Sequence, residues 1–255
     1  MAVFLQPHSI ILPALLLENS TDWHLPDQIV SSEYLTLEGR KISTSQNYAI
    51  WVNEFLEKYE ADSIRYYFLA NGPEKKDADF SWREYVHSHN GELLGAYGNF
   101  VNRSLSFINK YWNGAIPEGT YNPEIKQQIT SAYAKVGELI EKGAFKDAIN
   151  EIFELVRSAN KYFDTEQPWI TRDSNENACK NTLYNCVQII ANLAILLYPF
   201  LPFSSEKICS WLKLENKWEY HSVNAGYKLP EIEILFQRID KKVIEIESEK
   251  LKSIL

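Results

Sequence analysis

Up to about residue 58 the apolar positions fall in short, dissimilar runs. Pro7 to Leu17 (PHSIILPALLL) is apolar nearly all round and predicts a buried helix opened by proline. Gln28 to Thr36 (QIVSSEYLT) predicts a short strand, with a turn at Glu38-Gly39 after it. Helix, strand and polar loop make half of an α/β unit, and a parallel sheet needs several such units. From about residue 60 the period becomes helical. Asp62 is placed to cap a helix through Ile64, Tyr67 and Phe68, which Gly72-Pro73 ends. A long helix is expected from Ser81 to Trp112, and others over Pro123–Lys142, Phe145–Phe163, Asn175–Leu197 and Ser204–Leu212. The breaks carry turn chemistry: Asn113-Gly114 with Pro117, then Lys142-Gly143, Gln167-Pro168, Pro199 and Pro202. Helices joined this tightly predict an antiparallel bundle. The charged tail from Arg238 to Leu255, with Val243, Ile244, Ile246 and Leu251, predicts a last amphipathic helix. The expected fold is mainly α: an antiparallel helix bundle preceded by a small α/β piece.

On a wheel drawn from Leu93 to Trp112, Leu94, Tyr97, Val101, Leu105 and Ile108 form one stripe. Asn99 and Arg103, one turn apart, lie on the opposite side. A solvated face is the ordinary reading of such a pair. Trp169, directly after Pro168, changes the weighing. A tryptophan fixed there is either a core anchor or an exposed stacking platform. An aromatic face together with planar Asn and Arg side chains is what single-stranded RNA recognition needs.

Composition narrows the choices. The net charge is −8, so nucleic acid would have to be met by a local site rather than by a broad basic surface. Binding of DNA is not expected. The longest apolar run, Val187 to Phe203, is interrupted by Gln188, Asn192, Pro199 and Pro202, so no membrane span is expected. The apolar N-terminus lacks a basic region and contains Glu18, so it is not read as a signal peptide. Cys179, Cys186 and Cys209 are three in number, far apart and without a Cys-x-x-Cys pair. They predict neither disulfides nor a zinc site, and a cytoplasmic setting. A lysine, two serines and a threonine crowd residues 41–45, just beyond Gly39. Such a loop suits phosphates.

Four segments then stand in order: LEGRKISTSQNYAIW (37–51), ADSIRYYFLANGPEKKDADFSW (61–82), GNFVNRSLSFINKYW (98–112) and NKYFDTEQPW (160–169). Together they resemble the C-terminal half of methionyl-tRNA synthetase, a class I aminoacyl-tRNA synthetase, over nearly the whole chain. The resemblance implies a Rossmann-type catalytic remnant over 1–58, a linker facing the tRNA stem over 59–85, a helical anticodon-binding domain over 86–235 and a C-terminal helix over 236–255. It implies that Lys41, Ser43, Thr44 and Ser45 stand for the Lys-Met-Ser-Lys-Ser loop, which steadies ATP phosphates, with magnesium, as methionyl adenylate forms. Thr44 replaces the second lysine of that pattern, which places the cationic role on Lys41. His8 falls where the family has a histidine near the methionine pocket, although the residues before it depart from the usual run. Asn99, Arg103 and Trp169 match the family's readers of the CAU anticodon, mainly its cytosine.

The family's His-Ile-Gly-His run is not among these residues. His8, His24, His87, His89 and His221 are the five histidines, and none lies in such a run. Nor is there an inserted domain with zinc knuckles, so no zinc is expected here. Adenylate formation needs both substrates held in line, so these 255 residues are expected to make no methionyl adenylate unaided. Three readings follow: a piece of a methionine–tRNA ligase (a split-gene half, a truncated product or an incomplete sequence) whose partner would be a polypeptide carrying the N-terminal catalytic half, a free-standing non-catalytic tRNA-binding paralogue, or a helical protein-interaction scaffold.

Overall fold

The computed structural model describes residues 28–253; the expected helix Pro7–Leu17, and His8 with it, lie outside the described residues. Strand β1 (Leu35–Leu37) turns through Glu38 and Gly39 into β2 (Arg40–Lys41). Both turn residues have positive φ, 47° and 75°, as a tight hairpin turn requires. Glycine takes this freely, whereas Glu38 is held there by its neighbours. Its N–H donates to Phe80 O (2.8 Å), and its carboxylate accepts from the Trp82 N–H (2.9 Å). Gly39 N–H donates to Asp79 Oδ1 at 2.8 Å.

Helices α1 (Val52–Leu56) and α2 (Ala61–Asn71) then carry the chain across to β3 (Ala78–Phe80). β3 pairs parallel to β1, with Leu35 opposite Ala78 and Leu37 opposite Phe80, so the sheet order is β2-β1-β3. The expected strand over Gln28–Thr36 contracts to Leu35–Leu37 because its partner is only three residues long. Residues 28–34 are irregular instead, tied by Glu33 N–H to Pro73 O and by Tyr34 N–H to Asp77.

Asp62 does not cap its own helix; Glu60 occupies that place. The Asp62 carboxylate, buried at 2% exposure, reaches across to Ser204 (N 2.7 Å, Oγ 2.6 Å) and Phe203 N. It satisfies the orphan N–H groups of a distant helix and so ties the small module to the bundle.

The long helix expected from Ser81 is continuous but not uniform. Ser81 caps α3 (Trp82–Ser88), accepting from Glu84 N–H. His89–Gly98 is then a π-helical segment, and α4 (Asn99–Trp112) follows. A wider turn rotates side chains against a regular wheel. Leu93 is consequently fully buried while Leu94 is only partly so. Glycine suits the segment: a Cβ on Gly98 would come within 3.0 Å of Leu93 O and 3.1 Å of the Phe236 ring. His89 inside it is buried and bonded to Ser63 Oγ (2.7 Å) and Gln237 O (2.8 Å). Burial holds its imidazole below the ordinary 6.5, opposed by the Gln237 carbonyl.

The remaining helices are α5 (Pro123–Glu141), α6 (Phe145–Glu166), α7 (Pro168–Ser174), α8 (Glu176–Leu197), α9 (Pro202–Leu212) and α10 (Lys242–Ser253). Pro123 and Pro202 open their helices where no N–H is needed. Helix α8 is central, buried on all sides from Thr182 onward except near Tyr184. Its amides are matched rather than orphaned. Gln188 exchanges two bonds with Val223, and Asn192 exchanges two with His221, all at 2.8–2.9 Å. Two cores result. A largely aliphatic one fills the bundle, and a small aromatic one gathers Phe55, Tyr67, Phe80, Trp82 and Tyr85, closed by Leu251 of α10. The three cysteines are buried and free, and burial pushes the Cys186 thiol up to about 12 and Cys209 up to about 11.

Candidate nucleic-acid interface

The lysine loop is shaped mainly by its own backbone. Ser43 and Tyr48 exchange two backbone hydrogen bonds (2.8 and 2.9 Å), and Asn47 N–H donates to Thr44 O. Asn47 takes positive φ, 55°, which asparagine tolerates. Its side chain accepts from the Trp51 indole at 2.9 Å. Tyr48 is buried and donates to Leu37 O, with Arg40 over its ring. Lys41, Thr44 and Ser45 are exposed, Ser43 is partly so, and the Ser43 and Ser45 hydroxyls lie 3.3 Å apart. One ammonium and three hydroxyls on a fixed turn can meet phosphate oxygens from one side. Among the described residues no group of three or more His, Cys, Asp or Glu is arranged to hold a metal.

The second cluster lies where α4, α6 and α7 meet. The sequence places Asn99 and Arg103 together, facing away from the core. Asn99 is indeed exposed, but Arg103 is drawn into the groove between α4 and α6, its side chain 23% exposed. Its guanidinium lies 4.2 Å from the centre of the Phe163 ring. One end donates to Asp164 at 2.6 Å and the other to the backbone and side-chain oxygens of Asn160 at 3.0 and 3.1 Å. Asn160 in turn donates to Ala96 O in the π-helical segment. A screened pair of this exposure contributes about 1 kcal/mol or less; its effect is orientation.

Gln167 ends α6 in the left-handed conformation (φ 45°), and Pro168 starts α7 at once. This corner swings Trp169 outward, 45% exposed, with its ring 6.0 Å from that of Phe163. Trp169 is therefore not a core anchor. Buried Phe163 thus touches Arg103 and Trp169 alike. An open aromatic face beside a planar, oriented guanidinium and an exposed amide can stack a nucleobase and bond its edge.

Sequence reading missed Phe163, Asn160 and Asp164, which hold Arg103, and also Arg172, whose guanidinium sits 4.2 Å from the Tyr111 ring centre. All but Arg172 lie inside the quoted stretch NKYFDTEQPW. Their signal was the i, i+3 and i+4 spacing of Asn160, Phe163 and Asp164.

The family described as anticodon-binding domain of tRNA ligase matches residues 122–254, and that described as tRNA synthetases class I (M) matches residues 4–105. The chain belongs to the methionyl-tRNA synthetase family. It is 54% identical over 245 residues to methionine–tRNA ligase of Bacillus cereus, covering 96% of this chain and 45% of that protein. Methionine–tRNA ligase 1 of Alkaliphilus oremlandii is 53% identical over 246 residues, with the same coverage. The chain therefore spans about half the length of these methionine–tRNA ligases. In fold it resembles methionyl-tRNA synthetase of Mycobacterium tuberculosis. The form bound by methionyl-adenylate gives a TM-score of 0.79 at 24% identity, over 90% of this chain and 47% of that one. The apo form gives 0.77 at 24% identity, over 91% and 47%. The expected mainly α fold with a small sheet ahead of the bundle is thus that of methionyl-tRNA synthetases. Among the described residues no helix is long and apolar enough to cross a membrane.

Proposed function

We propose that this chain reads the CAU anticodon of methionine tRNA on the α4–α6–α7 face, with the cytosine stacked on Trp169 and its edge met by Asn99 and Arg103. The observation that carries this is the shared ring of Phe163, which sets an exposed indole and an oriented guanidinium beside each other. In this reading residues 86–235 bind the anticodon and 59–85 face the tRNA stem. The setting is cytoplasmic.

The lysine loop has its own part. Lys41, with Ser43, Thr44 and Ser45, steadies the phosphates of ATP and its magnesium during methionyl adenylate formation, once the rest of the catalytic fold is supplied. His8 belongs to the methionine pocket of that assembled site. The N-terminal catalytic half of a methionine–tRNA ligase, in the same or in a separate polypeptide, completes that site. In support, an apolar cavity of about 160 Å³ opens between Leu35, Leu37, Ile42, Val52, Ile64 and Phe68, and Ile42, Val52 and Phe68 are exposed around it. Exposed apolar surface of this kind marks a docking face.

Fluorescence titration of the chain with RNA stem-loops tests the anticodon reading. A CAU loop is expected to bind about tenfold or more tighter than one with the cytosine changed to guanine, because a guanine edge does not match the exposed Asn99 amide and the Arg103 N–H groups that Asp164 and Asn160 leave free. Equal affinity for both loops refutes it. For the loop, methionine-dependent ATP–pyrophosphate exchange is expected only when the N-terminal half is added.

A further inference from the structure

Three residues on from Trp169, Arg172 of α7 meets the end of α4. Tyr111, at the end of α4, is 38% exposed. The Arg172 guanidinium of α7 lies 4.2 Å from its ring centre, and the Lys110 ammonium lies 5.0 Å from it. Asp173 fixes the edge of that guanidinium through two contacts, 2.8 and 2.7 Å. Arg172 is thus a flat cation held by both an aromatic ring and a carboxylate. It keeps 30% of its side chain exposed. Phe107 supports Tyr111 from behind, ring to ring at 4.5 Å.

Trp169 and Arg172 are three residues apart on α7, about 4.5 Å along its axis. Arg103 and Lys110 are seven residues apart on α4, about 10.5 Å along its axis, a spacing for splayed rather than stacked bases. Both helices present the two clusters in the same order: Trp169 near Arg103 through Phe163, then Arg172 over Tyr111 with Lys110. A chain with net charge −8 has here a local excess of cation, Lys110 and Arg172 against Asp173. The two cations also hold the Tyr111 hydroxyl below its ordinary value, Lys110 foremost.

We infer that Tyr111 and Arg172 form a second nucleotide platform, which takes the adenine that follows the cytosine of the CAU loop, with Lys110 on its phosphate. Bases stack on guanidinium planes as well as on aromatic rings. A guanidinium already backed by Tyr111 and braced by Asp173 presents its free face without further ordering. The inference rests on the anticodon reading above and adds to it the nucleotide that these residues hold.

The test uses the full chain and a CAU stem-loop RNA, compared with the same RNA carrying an abasic site at the adenine. With wild-type protein the abasic RNA is expected to bind about tenfold more weakly, the loss of one stacked base. Tyr111→Ala and Arg172→Ala are each expected to weaken the intact RNA by a similar factor and to show little further loss with the abasic one. Tyr111→Phe keeps the ring and is expected to bind like wild type. Lys110→Ala is expected to lower the slope of log affinity against log salt by about one. Melting curves that match wild type show that each variant is folded. The inference is overturned if Trp169→Ala weakens binding while Tyr111→Ala and Arg172→Ala stay within twofold of wild type, or if the abasic penalty is undiminished in them. If Trp169→Ala also binds like wild type, the anticodon reading itself falls, and this platform with it.

Discussion

The lysine loop and the Arg103–Trp169 face are held by different means. In the loop the backbone does most of the positioning, through the paired Ser43 and Tyr48 and the Glu38-Gly39 turn braced by Asp79. On the face, side chains from α4, α6 and α7 position one another through Phe163, Asn160 and Asp164. The first arrangement keeps its shape locally but presents one side of a site. The second draws its supports from within the bundle and depends on the bundle's packing. Damage to the bundle core should therefore erase the face and spare the loop, and the reverse should hold for the loop's supports.

Phe100→Ala presses hardest on that contrast. Phe100 is fully buried on α4, one residue from Asn99, and its loss should cost about 3–5 kcal/mol. Urea denaturation measures this, and RNA affinity should fall with it while backbone exchange protection at Ser43 and Tyr48 is retained. A loss below about 1 kcal/mol breaks the idea of a packing-dependent face.

Asp62→Ala should cost about 2 kcal/mol, since it strips a buried charged acceptor from Ser204 and Phe203. It severs the tie between small module and bundle, so the two should unfold in less coincident transitions when followed by different probes. Coincident transitions would show that the two cores are coupled by other contacts. Asp164→Asn is a milder change. It loosens Arg103 and removes a negative charge from the face, so it should raise affinity for RNA a few-fold and blunt discrimination at the cytosine.

The smallest effect concerns pH. Burial depresses the His89 imidazole, so the folded state takes up its proton later than the unfolded chain does. Its contribution is intact above 6.5 and is lost as pH falls from there through the lower folded value. The melting temperature should decline over that range, and His89→Gln should decline less.

The bundle was largely legible because its helices are long and periodic and carry turn residues between them. Pro123, Pro202 and Asn175 open helices within two residues of where the pattern places them. Short or irregular elements were not legible. Strand β3 is only Ala-Asp-Phe, too brief for alternation to register. The π-helical segment keeps the sequence look of a helix while turning its side chains differently, which is why a regular wheel buried Leu94 in place of Leu93. Asp62 looked like a local cap because sequence proximity cannot show Ser204, which reaches it only through the fold. At the face, Asn99 followed the wheel. Arg103 did not, because Asp164 and Phe163 draw it into the groove. The outward turn of Trp169 depends on the left-handed Gln167 before Pro168, a conformation that the residue pair permits without dictating.

In the proposed reading the bundle face holds the anticodon RNA and the lysine loop adds nothing to its affinity. The most direct measurement is the dissociation constant of one CAU stem-loop RNA for wild type, Trp169→Ala and Lys41→Ala, at a single salt concentration. Trp169→Ala should weaken binding by roughly 5- to 150-fold, equivalent to a stacked base worth about 1–3 kcal/mol, and Lys41→Ala should match wild type within about twofold. Loss of binding with Lys41→Ala, and none with Trp169→Ala, would contradict the account.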